Sequence, residues 1–331
     1  MCGRKTNLGR CQEYLKGLFH DCKSNIERMQ ERIPNSEYQQ LQHFISHSPW
    51  DAFGVMHEVA RRTESSFEHI SGSVGLLLDE SGWQKTGRKS VGVARQYIGQ
   101  AGKISNGQVG VFTALCKGDK VGLVQGRLYL PREWTDDAER CAKAGIPMDQ
   151  AVYRSKTQLA VEMIQALEDD ISYEWIGGDA VYGNSLELRA TLRKMQKSYV
   201  LDVEQQLSVY LSDPEPFIPP AQIGAKGRPR TRHISRQEPV VLSDLLSRIL
   251  PGQWTNLTYR QGTKGKLQRQ ACLIPVWIWR QGKETVPEQT QVLISRELDG
   301  SEVKFSLCYH PQHAIDLQTA LWRPINANCQ I

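Results

Sequence analysis

The stretch Val74–Gly99, VGLLLDESGWQKTGRKSVGVARQYIG, runs from small and apolar residues into a carboxylate pair and then into a basic, glycine-rich segment. An apolar run of this kind is typical of a strand covered on both faces, and such a strand delivers the next side chain to the rim of its sheet. Asp79 is that side chain, and Glu80 follows it. The stretch therefore predicts a buried strand that ends on an acidic group.

A second predicted strand, YEWIGGD, also ends on an aspartate, Asp179. The pattern around the two aspartates predicts strands at about 74–79, 91–98, 107–116, 121–129, 173–179 and 198–203, with helices at about 156–169 and from Asn184 or Ser185. Such an order predicts an α/β layer in which the two strand ends could lie side by side. Two carboxylates so placed could bridge a pair of Mg²⁺ (or Mn²⁺) ions and support phosphodiester chemistry. The alternative is that each aspartate only caps a turn.

The regions on either side of this layer have other periodicities. Apolar residues at three- and four-residue steps predict one helix from Cys11 to Ile33, followed by helices opened by Ser36 and by Ser48. The segment 254–309 is strand-like and contains the Asp299-Gly300 turn signal. We therefore expect an N-terminal helical region and, late in the chain, an insertion or a second sheet.

Two basic segments are candidates for phosphate contact. Arg88, Lys89 and Arg95 follow Asp79 closely, and the alternative interpretation is a solvated hairpin. The segment KGRPRTRH contains Lys226, Arg228, Arg230 and Arg232, which suits a loop that follows a nucleic-acid backbone. A charged loop with no partner is the alternative there.

The composition is that of an ordinary soluble protein of 331 residues, with 40% hydrophobic and 23% charged residues and a net charge of +5. No apolar run is long enough to cross a bilayer, and the polar start lacks the apolar core of a signal peptide. The eight cysteines form no C-x-x-C pair, so we expect reduced thiols. These features predict a cytoplasmic protein without a membrane partner.

Several blocks in order carry a resemblance to a known family. They are LLLDESGWQKTGRKSVGVARQYIGQAGKISNGQVGV, RLYLPREW, WIGGDAVYG and TYRQGTKGKL. Together they resemble the DDE transposases of bacterial insertion sequences, specifically the insertion sequence 701-like branch of the insertion sequence 4 superfamily. The resemblance covers about residues 10–320.

The resemblance implies an RNase H-like catalytic domain, interrupted by a β-rich insertion, that cuts and joins DNA at transposon ends with Mg²⁺. Its first two catalytic and metal-binding aspartates correspond to Asp79 and Asp179. The block after the first aspartate contains Arg88, Lys89, Arg95, Gln96 and Tyr97, and the block after the second contains Tyr182 and Gly183. Tyr182 is accordingly expected to contact nucleic acid. The implied partner is double-stranded DNA at transposon ends, with a homodimer as a further expectation and association with the nucleoid as the location.

The family pattern includes a third carboxylate, a Glu on a helix after the insertion, which this sequence does not match. The chain closes with HAIDLQTALWRPINANCQI, where Pro324 is incompatible with a continuing helix and no Glu follows. Glu297 precedes a hairpin turn and is a poor substitute. We therefore expect a C-terminally truncated transposase with weak or absent cleavage; the alternative is a non-catalytic DNA-binding fragment that occupies transposon ends or interferes with the full-length enzyme. The expected division is 1–70 helical and DNA-binding, 71–203 catalytic core, 204–310 basic loop and insertion, and 311–331 truncated tail.

Overall fold

The computed structural model describes residues 3–19, 25–49, 51–220, 231–262, 265–282 and 286–321. The chain divides into two compact units, Met1–Val55 and Met56–Ile331. The first is helical, and the second contains a large mixed sheet with its helices.

The described residues of the first unit form three complete helices, α1 (Gly3–Leu18), α2 (Ile26–Arg32) and α3 (Tyr38–Ser46). The single helix predicted from Cys11 to Ile33 is wrong, because Asn25 has an extended backbone and starts α2 instead. Its side-chain oxygen accepts a hydrogen bond from the backbone N–H of Arg28, so Asn25 acts as an N-cap. The apolar residues keep their three- and four-residue spacing through α1 and α2, so this spacing did not reveal the break before Asn25.

The predicted caps of the next two helices are also corrected. Glu37, not Ser36, is the N-cap residue of α3, and Ser36 is buried. At α4 (Ala52–Ser65) the Asp51 carboxylate, rather than Ser48, accepts a hydrogen bond from the backbone N–H of Gly54, at 2.9 Å. A carboxylate at this position is also stabilised by the positive end of the helix dipole.

The second unit contains every described strand of the chain. In chain order the strands are β1 (Gly75–Gln84), β2 (Ala94–Ile98), β3 (Lys103–Lys117), β4 (Lys120–Leu128), β5 (Trp175–Gly178), β6 (Tyr199–Val203), β7 (Ser208–Val209), β8 (Val240–Val241), β9 (Thr255–Gly262), β10 (Gly265–Ile278), β11 (Glu288–Glu297) and β12 (Val303–Tyr309). The remaining α-helices are α5 (Arg132–Thr135), α6 (Ala138–Lys143), α7 (Lys156–Leu167), α8 (Ala180–Gly183), α9 (Leu186–Lys194) and α10 (Leu242–Leu246).

Ten of these strands form one mixed sheet in the order β2-β3-β1-β5-β6-β12-β11-β10-β9, with β4 also paired to β3. Strand β1 is antiparallel to β3 and parallel to β5, and β5 is parallel to β6. This is the predicted α/β layer, and a sheet of this kind is consistent with an RNase H-like fold. The strands from β9 to β12 do not form a second sheet, because β12 pairs with β6 and so extends the first one.

The two faces of the sheet around β1 differ. Because side chains alternate along a strand, Leu76 and Leu78 lie on one face, where they share a core with residues of α7 and α9 such as Met163 and Leu192. Leu77 lies on the opposite face, in a smaller cluster with Trp175. We call the opposite face the Asp79 face, since Asp79 follows the same alternation. None of the described helices is long and apolar enough to cross a membrane, and the five described cysteines form no disulfide.

Candidate active site

The two predicted aspartates lie at the same edge of the sheet. Leu78 of β1 is the register partner of Gly178 of the parallel strand β5, and each is followed directly by an aspartate. Neighbouring strands are about 4.8 Å apart, so the backbones of Asp79 and Asp179 are separated by about one strand spacing. Equal parity along paired strands puts both residues on the Asp79 face. The sequence predicted this adjacency from two strand ends 100 residues apart.

Asp179 has a second, structural task. Its Oδ1 accepts a hydrogen bond from the backbone N–H of Val181 at 3.0 Å, which makes Asp179 the N-cap of α8. The turn-capping alternative is therefore true of Asp179, and it coexists with a position beside Asp79. The cap fixes one carboxylate oxygen and so orients the other.

The Asp179 carboxylate is in an unfavourable place for a negative charge. Its side chain reaches solvent, yet the surrounding protein excludes much of the water, and this loss of solvation raises its pKa to about 6. The charges of Glu80 and Asp79 raise the pKa further, while the hydrogen bonds from Val181 and Tyr182 lower it. A bound cation would relieve this repulsion.

Glu80 contributes to the electrostatic field at Asp179, whereas the sequence indicated only that Glu80 is a neighbour of Asp79. It lies on the helix-covered face, where its Oε1 is 2.6 Å from Nζ of Lys156, the first residue of α7. Its Oε2 is buried and has no hydrogen-bond partner among the residues that the structure describes. Lys156 was also missed, because a lysine after a capping serine has no sequence signal that links it to a strand 76 residues earlier.

Tyr182 does not support the predicted contact with nucleic acid. Its side chain is completely buried, packed in the core of the helix-covered face. Burial, together with the charges of Glu80 and the two aspartates, raises the pKa of its hydroxyl well above the ordinary value. Tyr182 thus lies in the core of the helix-covered face, and its contact with nucleic acid stays a prediction that this burial does not favour.

The predicted basic residues occupy three places. Arg88 and Lys89 are exposed and line a cavity of about 440 Å³ with Arg140 and Lys143 of α6. Arg95 is exposed on β2, and Arg232 is exposed near the bridge between Phe217 and Ile234. The other three predicted cations, Lys226, Arg228 and Arg230, lie outside the described residues.

The Arg88 cavity also contains a cation that the sequence did not single out. The Arg140 guanidinium stacks 3.7 Å from the centroid of the buried Trp134 ring and donates a hydrogen bond to the Arg88 carbonyl oxygen at 2.9 Å. These contacts hold the two arginines next to each other.

The oxygen donors of Asp79 and Asp179 suit a hard divalent cation such as Mg²⁺. Within the described ranges no group of three or more His, Cys, Asp or Glu side chains is arranged to hold a metal ion. The described residues would therefore hold a cation through two carboxylates, those of Asp79 and Asp179. Paired aspartates at adjacent ends of parallel strands define a candidate phosphodiester-cleaving centre.

Comparison with known proteins identifies the family. The family model for the DDE superfamily endonuclease matches residues 2–266, and the chain belongs to that family. A protein of Microchaete diplosiphon, described as a probable transposase for insertion sequence element IS701, is 30% identical over 185 residues. That alignment covers 53% of this chain and 44% of the relative, so the matched region spans less than half of the relative. The family predicted from the sequence blocks is thus confirmed.

A comparison of structures gives a weaker likeness. The NurA nuclease from Sulfolobus solfataricus aligns over 83% of this chain and 79% of its own, with 8% sequence identity and a TM-score of 0.29. The score is too low to support a conclusion about fold or function.

Proposed function

We propose that this chain acts in DNA transposition and contributes Asp79 and Asp179 to a metal-dependent centre that cleaves and joins DNA at the ends of an insertion sequence. The proposal rests on one observation above all: two aspartates that follow register partners on adjacent parallel strands. A bound pair of divalent ions such as Mg²⁺ would activate the attacking oxygen and stabilise the leaving oxygen of a phosphodiester.

The residues of the chain itself have distinct roles in this proposal. Asp79 and Asp179 would hold the cations, and the α8 cap keeps Asp179 oriented. Lys156 neutralises Glu80, which limits the negative charge that accumulates behind Asp179. Arg88, Lys89 and Arg95 would contact backbone phosphates and so position the DNA without reading its sequence.

We propose that Asp79 and Asp179 alone support only weak cleavage, because the family pattern includes a third carboxylate beside them. Glu297 is a poor third ligand, since it lies on β11 and its Oε1 is 3.1 Å from Nη1 of the buried Arg269. Losing one ligand of a positioned polar centre removes transition-state stabilisation, commonly about 3 kcal/mol or more.

The test is a nicking and strand-transfer assay on DNA that carries the ends of the insertion sequence, with Mg²⁺ or Mn²⁺. Asp79→Asn and Asp179→Asn should each abolish whatever cleavage the chain shows while leaving DNA retention intact. Equal cleavage by wild type and both variants would refute the catalytic role of the pair. Retention of DNA with no cleavage in any protein would instead favour a non-catalytic DNA-binding chain.

A further inference from the structure

The Asp79 face carries a row of side chains that the catalytic proposal does not use. Strand β1 pairs with β3 without a register shift from Gly75 to Gln84, so Trp83 lies on the same face as Asp79. Phe112 of β3 is the direct register partner of Asp79 and shares that face. The two aromatic rings meet edge to face, with centroids 5.9 Å apart and an interplanar angle of 86°.

Two glycines make room for this aromatic pair. A Cβ atom at Gly110 would lie 2.7 Å from the Phe112 ring, and one at Gly126 would lie 2.9 Å from it. The Phe112 ring therefore fills space that any other residue at these positions would occupy. Its orientation is fixed by the sheet beneath it, and it supports the Trp83 ring from one edge.

The supported ring is open to solvent. Trp83, the penultimate residue of β1, is 42% exposed, whereas the first four residues of the strand are buried. An exposed tryptophan next to a second aromatic ring is an informative feature of a protein surface. Tyr97 of β2 and its register partner Ile104 are 56% and 61% exposed and lie on the same face, beyond the polar side chains of Gln108 and Asn106 of β3. Arg95, two residues before Tyr97 and thus on the same face of β2, adds a positive charge.

The combination of exposed aromatic rings and a nearby cation matches the chemistry of single-stranded nucleic acid. Bases stack on aromatic rings regardless of their sequence, and cations follow the backbone. The four residue steps from Asp79 to Trp83 span about 13 Å of strand. Bases in a stacked strand are about 3.4 Å apart, so this length corresponds to at most about four nucleotides.

We infer that the Trp83–Phe112 pair is a stacking platform for an unpaired DNA base close to the bond held at Asp79 and Asp179, with Arg95 contacting the adjoining phosphate. The inference rests on the proposed function, and it specifies that the DNA at the site has a locally unpaired strand. The occupant is a nucleobase, because the surface offers a ring supported for stacking beside a phosphate-binding cation.

Three variants test the platform. Trp83→Ala removes the ring, Trp83→Phe keeps a smaller ring, and Leu298→Ala removes a side chain of similar exposure, 51%, at a distant hairpin. Binding would be measured without divalent ions by fluorescence anisotropy on two DNAs of identical sequence: a full duplex and the same duplex with a four-nucleotide unpaired overhang. A 2-aminopurine base placed in the overhang reports stacking through quenching of its fluorescence.

Wild type should bind the overhang DNA more tightly than the duplex and quench the 2-aminopurine. Trp83→Ala should weaken overhang binding by about 5- to 150-fold, abolish quenching and leave duplex binding unchanged. Trp83→Phe should retain most of both signals, and Leu298→Ala should match wild type. Circular dichroism melting of each variant verifies that the fold is intact.

Several outcomes would overturn the platform. They are an equal loss on duplex and overhang DNA, quenching that persists in Trp83→Ala, or a loss of self-association in Trp83→Ala, which would make the surface a contact between copies. The proposed function fails separately: overhang binding with quenching but no cleavage by wild type would retain the platform and refute the catalytic centre. If nicking requires Asp79 but Trp83→Ala binds the overhang DNA as tightly as wild type, the platform alone is refuted.

Discussion

Gly183→Ala provides a sharp test of how the candidate site is built. Gly183 ends α8, directly after the turn that Asp179 caps, and its backbone packs against β6. A Cβ atom placed there would lie 1.8 Å from the backbone oxygen of Asp202. An ordinary contact begins at 3.4 Å, so α8 and β6 would have to separate by about 1.6 Å, the difference between these two distances.

The cost of that separation can be worked from the contacts it disturbs. Overpacking of a close-packed interior costs about 1–3 kcal/mol, and the upper end applies because both parties to the clash are backbone. The Gly183 carbonyl oxygen also accepts a hydrogen bond of 2.6 Å from Nη1 of Arg189, whose side chain is fully buried. Weakening a hydrogen bond to a buried charge adds about 1–3 kcal/mol. We therefore expect Gly183→Ala to lower the free energy of unfolding by about 4–6 kcal/mol.

The assay is urea unfolding at pH 7, followed by circular dichroism and by tryptophan fluorescence. Gly252→Ala is the matched control, because a Cβ atom there meets no other atom within 4 Å. The control should lie within about 0.5 kcal/mol of wild type. A loss of less than about 1 kcal/mol in Gly183→Ala would refute the claim that α8 and β6 are in backbone contact.

Three further predictions concern charge. The pKa of Asp179 is raised to about 6, so the ionised carboxylate destabilises the folded state once the pH rises through that value. Asp179→Asn should therefore melt at a higher temperature than wild type at pH 7 without metal. The difference in melting temperature should shrink at pH 4, where the folded wild type holds the proton. Glu288→Gln removes the negative charge that lies 3.7 Å from Nε of the buried Arg189, and it should lower the free energy of unfolding in urea by about 3 kcal/mol. The control Glu139→Gln breaks the exposed pair with Lys143 and should cost under about 1 kcal/mol. Arg95→Ala should reduce the slope of log affinity for duplex DNA against log salt by about one, measured from 50 to 200 mM, and an unchanged slope would exclude a phosphate contact.

The α/β layer was predictable because its signals are local. The apolar run around Leu76–Leu78 identified a central strand, and the helices predicted at about 156–169 and from Asn184 or Ser185 correspond to α7 and α9. Side-by-side placement of Asp79 and Asp179 followed from the parallel direction of their strands. The Asp299-Gly300 turn likewise lies between two paired strands, β11 and β12.

The remaining features depend on long-range packing that a sequence pattern does not contain. Pairing of β12 with β6 joined the predicted insertion to the main sheet, and it brings together segments about 106 residues apart, as in the pair Leu201 and Leu307. The burial of Tyr182 and the Glu80–Lys156 pair arise in the same way, from helices that cover one face of the sheet. In the N-terminal unit the error was local, since one asparagine cap divided a continuous apolar periodicity.

The pairing between β6 and β12 also determines how the chain can be shortened. Strand β6 is almost fully buried along Tyr199–Val203, and its hydrogen bonds are satisfied by β5 on one side and by β12 on the other. A derivative that stops before Val303 would expose the edge of the apolar strand β6, with a row of unpaired N–H and C=O groups, to solvent. Such edges are templates for intermolecular pairing, so this derivative should aggregate, whereas excision that keeps β12 next to β6 should stay dispersed. Strand β12 thus covers the edge of the buried strand β6 in addition to extending the sheet.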